Sequence, residues 1–285
     1  MIKILTDSVA SIPADAAREA GIDVITLYVN RDGRELADAD MDLDAFYADI
    51  YDMVDNIPTS SQPSQAALEA VFEEAAQAGD EVLGVFISTG LSGAYEGAVR
   101  AARAVAARNI GFSYALVDSS SCGYDEAWPV FDAVAARAAG EDLEGCTRAV
   151  LKGIESTRFL FTPETLTFLQ KGGRIGNVTY AVGSMLDMRP VITCNEQGVY
   201  VTVSKAKGRR QSLKKAMACA EKFASRFPRC TMAVVNGDAA KEAAAVRAEL
   251  GERVGHADAW YEGQISPVLV VHTGPGLIGI GVCGA

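Results

Sequence analysis

Short apolar stretches and helical stretches alternate through the first half of this chain, and the polar residues fall where the apolar stretches end. Ile2–Leu5 reads as a buried strand, and Pro13 opens a helix that runs to about Ala20, where Gly21 closes it. Val24–Val29 reads as a second strand. Pro63–Gln77 carries Ala67, Leu68, Val71, Phe72 and Ala75 at helical spacing. Glu81–Ile87 is strand-like, Ala94–Ala107 helical and Phe112–Val117 strand-like. Alternation at this length predicts right-handed crossovers and a parallel sheet. Thr6-Asp7-Ser8, Ser88-Thr89 and Asp118-Ser119 then sit at strand carboxyl ends, where open α/β sheets bind ligands.

Two loops concentrate hydroxyls without charge: Thr59-Ser60-Ser61-Gln62-Pro63-Ser64 and Ser88-Thr89-Gly90-Leu91-Ser92-Gly93. Each precedes a helical stretch. A helix start offers free N–H groups and the positive end of the dipole, so added hydroxyls suit one small anion such as a carboxylate.

The second half mixes hairpins with helices. Val191–Thr193 and Val199–Val203 flank Asn195-Glu196-Gln197-Gly198 as a hairpin, and Val268–Val271 and Leu277–Val282 read as strands around His272-Thr273-Gly274-Pro275-Gly276. Gln211–Phe227 and Ala239–Leu250 read as helices. The expectation is an α/β protein of two domains. Residues 1–155 form a three-layer domain with a parallel sheet, and residues 156–285 a mixed-sheet domain. Asp38–Asp44 reads as a solvated acidic face leading into a helix through Phe46, Tyr47 and Ile50.

Composition excludes several functions. Acidic residues outnumber basic ones 37 to 26, so a nucleic-acid backbone would be repelled. The six cysteines include no C-x-x-C pair, and the two histidines lack a ligand at metal spacing, which argues against zinc. The first residues turn polar too soon for a signal peptide, and no apolar run is long enough to span a bilayer. The expected location is the cytoplasm.

Ser92, between a strand and a helix, with His272 downstream, also fits a serine hydrolase. However, the nucleophile elbow needs glycine two residues after the serine, and Ala94 stands there. Lys205, Lys207, Arg209, Arg210, Lys214 and Lys215 form one basic cluster, a candidate dock for an acidic partner.

Taken in order, Ile4-Leu5-Thr6-Asp7-Ser8, Thr59–Ser64, Ile87–Tyr95, Val117-Asp118-Ser119, Leu169–Ile175, Arg189-Pro190-Val191-Ile192 and His272–Gly276 resemble the DegV family of bacterial fatty-acid-binding proteins. The match covers nearly the whole chain. Each motif is modest alone, and the ordered set is specific. The resemblance implies a long-chain fatty acid as ligand and no cofactor. Its carboxylate would be held by a hydroxyl of the T-S-Q-P motif and the serine of the L-S-G motif, here Ser60 and Ser92, beside Gly93. Arg174 and His272 would support that network. Ser60 stands where the family usually has Thr, and Thr59 and Ser61 remain alternatives for the first contact. The resemblance also implies a lipid-binding protein that is not itself an enzyme. Some family members present the bound acid to a separate fatty acid kinase for phospholipid synthesis.

Overall fold

The computed structural model describes residues 1–178 and 188–285. In chain order the elements begin with β1 (Ile2–Asp7), α1 (Ala14–Ala20), β2 (Ile22–Ile25), β3 (Tyr28–Arg31), β4 (Arg34–Ala37) and α2 (Leu43–Asp49). Next come β5 (Thr59–Ser61), α3 (Gln65–Ala78), β6 (Glu81–Phe86), α4 (Ala94–Arg108), β7 (Tyr114–Asp118), α5 (Tyr124–Ala138) and α6 (Leu143–Ser156). The rest are β8 (Thr157–Thr162), α7 (Thr167–Lys171), β9 (Met188–Cys194), β10 (Tyr200–Lys207), α8 (Arg209–Ala224), β11 (Cys230–Asn236), α9 (Ala240–Arg253), β12 (Ala257–Gln264), α10 (Pro267–Thr273) and β13 (Ile278–Gly284).

The first sheet is parallel, in the order β2-β1-β6-β7. Side chains alternate across a strand, so β6 sends Leu83 and Val85 to one face and Val82 and Phe86 to the other. The former pack with Val130, Cys146 and Val150 of α5 and α6. The latter pack with Leu68, Phe72, Ala98 and Ala102 of α3 and α4. This is the expected three-layer arrangement.

The second sheet is mixed, in the order β10-β9-β8-β13-β11-β12, with β11 and β12 parallel and the other pairs antiparallel. Leu160, Val191, Met232 and Ile280 face α8 and α9. On the opposite face the short helices α7 and α10 contribute Leu169 and Val270. Phe159, Phe161, Ile192 and Val235 meet Leu91, Ala94 and Cys122 from the first half in one apolar cluster that joins the two sheets. Asp125 fastens this seam, accepting from the Phe159 N–H at 2.6 Å.

A small antiparallel sheet, β4-β3-β5, lies over the seam with α2. Val29, Phe46, Tyr47 and Ile50 contribute to the same cluster, and the Tyr47 hydroxyl donates to the Ile265 carbonyl at 2.8 Å.

Four local expectations change. Val268–Val271 is helix, not strand, because Pro267 starts a short turn buried on nearly every side. Four apolar residues in a row do not separate the two readings. Val24–Val29 is two strands, broken where Ser8 Oγ captures the Leu27 N–H at 3.0 Å and the chain leaves one sheet for another. Thr59–Ser61 is a short strand rather than an open loop. Asp38 is buried, at 4% exposure, and so is no part of a solvated face.

Candidate functional site

The site forms where three loops meet above the seam. On β5, successive side chains take opposite faces. Ser60 therefore points to α10, where its Oγ lies 2.7 Å from His272 Nε2. Ser61 points away and donates to Glu35 at 2.8 Å, and Thr59 is exposed. Of the three hydroxyls open to the first contact, only that of Ser60 meets His272.

The second hydroxyl loop abuts the first. A Cβ on Gly93 would come within 2.8 Å of Gln62 Oε1, so the Gln62 side chain of the first loop lies directly against Gly93. Ser88 is fully buried and holds the loop from beneath, donating to the Gly198 carbonyl at 2.8 Å. Ser92 caps the turn into α4, its Oγ accepting from the Ala94 N–H at 3.2 Å. The N–H groups of that first helical turn have no carbonyl within the helix to bond.

Arg174 links the third loop to the second. Its Nη1 donates to the Gly172 carbonyl at 2.7 Å and its Nε to the Leu91 carbonyl at 3.3 Å, next to Ser92. Gly172 lies against the imidazole, since a Cβ there would stand 2.5 Å from His272 Nδ1. Ser60, His272, Arg174 and the Leu91–Gly93 turn thus form one continuous set of contacts. The set is not uncharged, because the Arg174 guanidinium stands inside it.

Burial, and then the Arg174 charge, lower the His272 pKa to about 4, so its ring is neutral at neutral pH. Nδ1 has no hydrogen-bond partner among the described residues. The hydrolase pairing of Ser92 with His272 is not formed, since the imidazole bonds Ser60. The site's sequence neighbours Leu91, Leu169, Ile175 and Val271 all belong to the seam cluster or pack against it, so the polar set stands at the edge of an apolar volume.

Two residues inside the sequence motifs, Asp7 and Gln62, support the site without being singled out by the sequence as ligand contacts. Asp7, at the end of β1, accepts from the Val9 and Ile87 N–H groups, both at 2.9 Å, and so fixes the strand leading into the Ser88 loop. Its signal is an Asp at a strand end, ready to cap the turn that follows. Gln62 carries no signal beyond its place in the Thr59–Ser64 motif.

The basic cluster divides. Arg209 is an internal clamp, donating to Glu242 at 2.6 Å, the Thr162 carbonyl at 3.1 Å and the Gly276 carbonyl at 2.5 Å. Lys205, Lys207, Arg210, Lys214 and Lys215 are exposed. Among the described residues, no helix is long and apolar enough to cross a membrane, and no group of three or more His, Cys, Asp or Glu is placed to hold a metal ion.

A family model described as "Uncharacterised protein, DegV family" matches residues 1–285. A DegV domain-containing protein of Clostridium perfringens is 31% identical over 283 residues, covering 99% of this chain and 98% of that protein. A DegV family protein from Thermus thermophilus, whose structure is described by its fatty acid binding, superposes with a TM-score of 0.88 at 27% identity, over 100% of this chain and 99% of that one. A stearic-acid-binding protein from Eubacterium ventriosum superposes with a TM-score of 0.89 at 25% identity, over 100% and 98%.

Proposed function

The chain belongs to the DegV family, and from that premise and the geometry above we propose that it binds one long-chain fatty acid. The carboxylate is held by Ser60, Ser92 and the amides around Gly93, with Arg174 and His272 in support, and the acyl chain lies in the apolar seam. The observation that carries this reading is the Ser60–His272–Arg174 set at the edge of the apolar cluster. The fatty acid binding described for the Thermus and Eubacterium proteins points the same way.

The chemistry favours holding over turnover. A histidine with a pKa near 4 is a poor general base at neutral pH, and without a partner on Nδ1 it lacks the orienting group of a triad. Burying a CH₂ is worth about 0.8 kcal/mol, so a tail of ~14 methylenes contributes roughly 11 kcal/mol before ordering costs. A hydrogen bond to a charged group adds about 1.5–3 kcal/mol. Affinity thus comes mainly from the tail, and orientation from the head group.

Mass spectrometry of ligand extracted from purified protein is expected to return a long-chain fatty acid. After delipidation, Ser60→Ala and Ser92→Ala are each expected to weaken fatty acid binding about tenfold or more by calorimetry, with the fold unchanged. Unchanged affinity in both variants would overturn the head-group assignment. The same reading divides the chain at 155/156 and places it in the cytoplasm.

The reading extends to a partner. The bound acid is presented to a separate fatty acid kinase, whose product enters phospholipid synthesis, and the exposed basic cluster docks that kinase. Arg209 is excluded from this test because its removal would open the Glu242 clamp. Charge reversal at Lys205, Lys207 and Arg210 is expected to lower acyl-phosphate production at least tenfold at low salt, with fatty acid affinity unchanged. Production at the wild-type rate would reject the docking surface.

A further inference from the structure

Asp38 follows β4 and is 4% exposed. Its Oδ1 accepts from the Val268 N–H at 2.9 Å, in the first turn of α10. No cation among the described residues pairs with it, so an ion pair does not explain its burial. A buried carboxylate is costly unless it is hydrogen-bonded, and here the Val268 N–H supplies the bond.

The position of Asp38 matters because of what else the same elements carry. In the small sheet, β4 pairs with β3 through Tyr28 and Ala37, and β3 pairs with β5 through Val29 and Ser60. The sheet therefore reaches α10 at two points: Asp38 holds the Val268 N–H, and Ser60 meets His272 Nε2 at 2.7 Å. Val268 and His272 are four residues apart, about one helical turn. A short helix gripped at both ends cannot rotate or slide without breaking one of the two contacts.

We propose that Asp38 is a positioning residue for the head-group site: by fixing the start of α10 to the sheet that carries Ser60, it sets the register in which Ser60 and His272 meet. Asp38 does not touch the ligand. It acts through the orientation of the imidazole, which in turn orients the Ser60 hydroxyl toward the carboxylate. The ligand arm of this proposal rests on the fatty acid reading above, and the hydrogen-bond arm does not.

The test uses the full chain with Asp38→Ala and Asp38→Asn. The chain has only two histidines, His256 and His272, so the ring ¹H–¹⁵N signals are readily assigned. In ligand-free Asp38→Ala, the His272 Nε2 resonance is expected to move toward that of a free imidazole, and in Asp38→Asn, which keeps an acceptor for Val268, to stay at the wild-type value. In delipidated protein, Asp38→Ala is expected to bind a long-chain fatty acid about tenfold more weakly, with affinity for the methyl ester of the same acid within about twofold of wild type. Asp38→Asn should restore most of the fatty acid affinity. An unmoved His272 signal in Asp38→Ala overturns the proposal, as does an equal loss for acid and ester. If Asp38→Ala does not fold, a displaced His272 signal in the folded Asp38→Asn protein overturns it instead. Wild-type protein that binds neither compound would reject the fatty acid reading, while the ring spectra would still decide the role of Asp38.

Discussion

Phe161→Ala is expected to lower the unfolding free energy by about 3–5 kcal/mol, the range for deleting a buried aromatic ring. Strand alternation on β8 turns Leu160 toward α8 and α9 and Phe161 toward the seam. The Phe161 ring is 1% exposed. It meets the Tyr200 ring edge-on at 5.0 Å and stacks near Phe159 at 6.2 Å. Removing it leaves a cavity bounded by two sheets, and neither can move in without breaking its own ladder, so the upper half of the range is expected. Phe161→Leu keeps most of the volume and should cost far less. Urea unfolding of the three proteins measures both differences. A loss under about 1 kcal/mol for Phe161→Ala would mean that the ring does not join the two halves.

Much of this architecture was legible because its signals are local. Parallel strands buried on both faces read as unbroken apolar runs, as in Glu81–Ile87, and the helix after Pro63 carries a clear stripe from Leu68 to Ala75. Gly21 and Gly79 stop their helices in the left-handed conformation that glycine tolerates best. What escaped depends on partners far away in sequence. Val268–Val271 has strand-like composition, yet its placement against the seam makes it helical. Asp38 lies among acidic residues, and only Val268, 230 positions later, accounts for its burial. Arg209 resembles its basic neighbours until Glu242 closes on it. The site divides in the same way. Hydroxyls at strand ends pointed to an anion, but the choice of Ser60, Arg174 and His272 came from the family resemblance. No local pattern states that β5 faces α10, or that Gln62 fills the space a side chain at Gly93 would need.

Stability is expected to fall as pH rises from about 5.5 to 8, the reverse of ordinary acid denaturation. Burial is the first cause throughout. It lifts the Asp7 carboxyl from 3.8 to about 7, against the pull of its two amide donors. It lifts Asp38 and Asp125 to about 6, and with the nearby Asp7 charge it holds Glu126 well above the usual range. In the unfolded chain these carboxyls lose their protons near pH 4. Between about pH 4 and 6 the folded protein therefore holds more protons than the unfolded chain, and the unfolding free energy drops with pH. His272 works in the opposite direction. Its pKa is about 4 when folded and 6.5 when free, so its contribution to stability rises with pH through that window. One histidine opposes these four carboxyls and Asp132, which burial also raises, so the net slope is downward below pH 6. His272, Asp38 and Asp125 complete their titration by about pH 7.5, while Asp7, with its carboxyl at about 7, goes on losing its proton to about pH 8. Each tenfold change in proton affinity corresponds to about 1.4 kcal/mol, so the rise at Asp7 from 3.8 to about 7 is alone worth about 4 kcal/mol once fully expressed. The lowered carboxyls of Glu69 and Glu73, half-buried beside Arg108, act only below this range. Urea midpoints should thus be lower at pH 8 than at pH 5.5. In Glu126→Gln the decline should be shallower, since burial holds the Glu126 carboxyl well above its usual range and an amide has no proton to lose. A midpoint that rises from pH 5.5 to 8 would show that these carboxyls meet water in the folded protein.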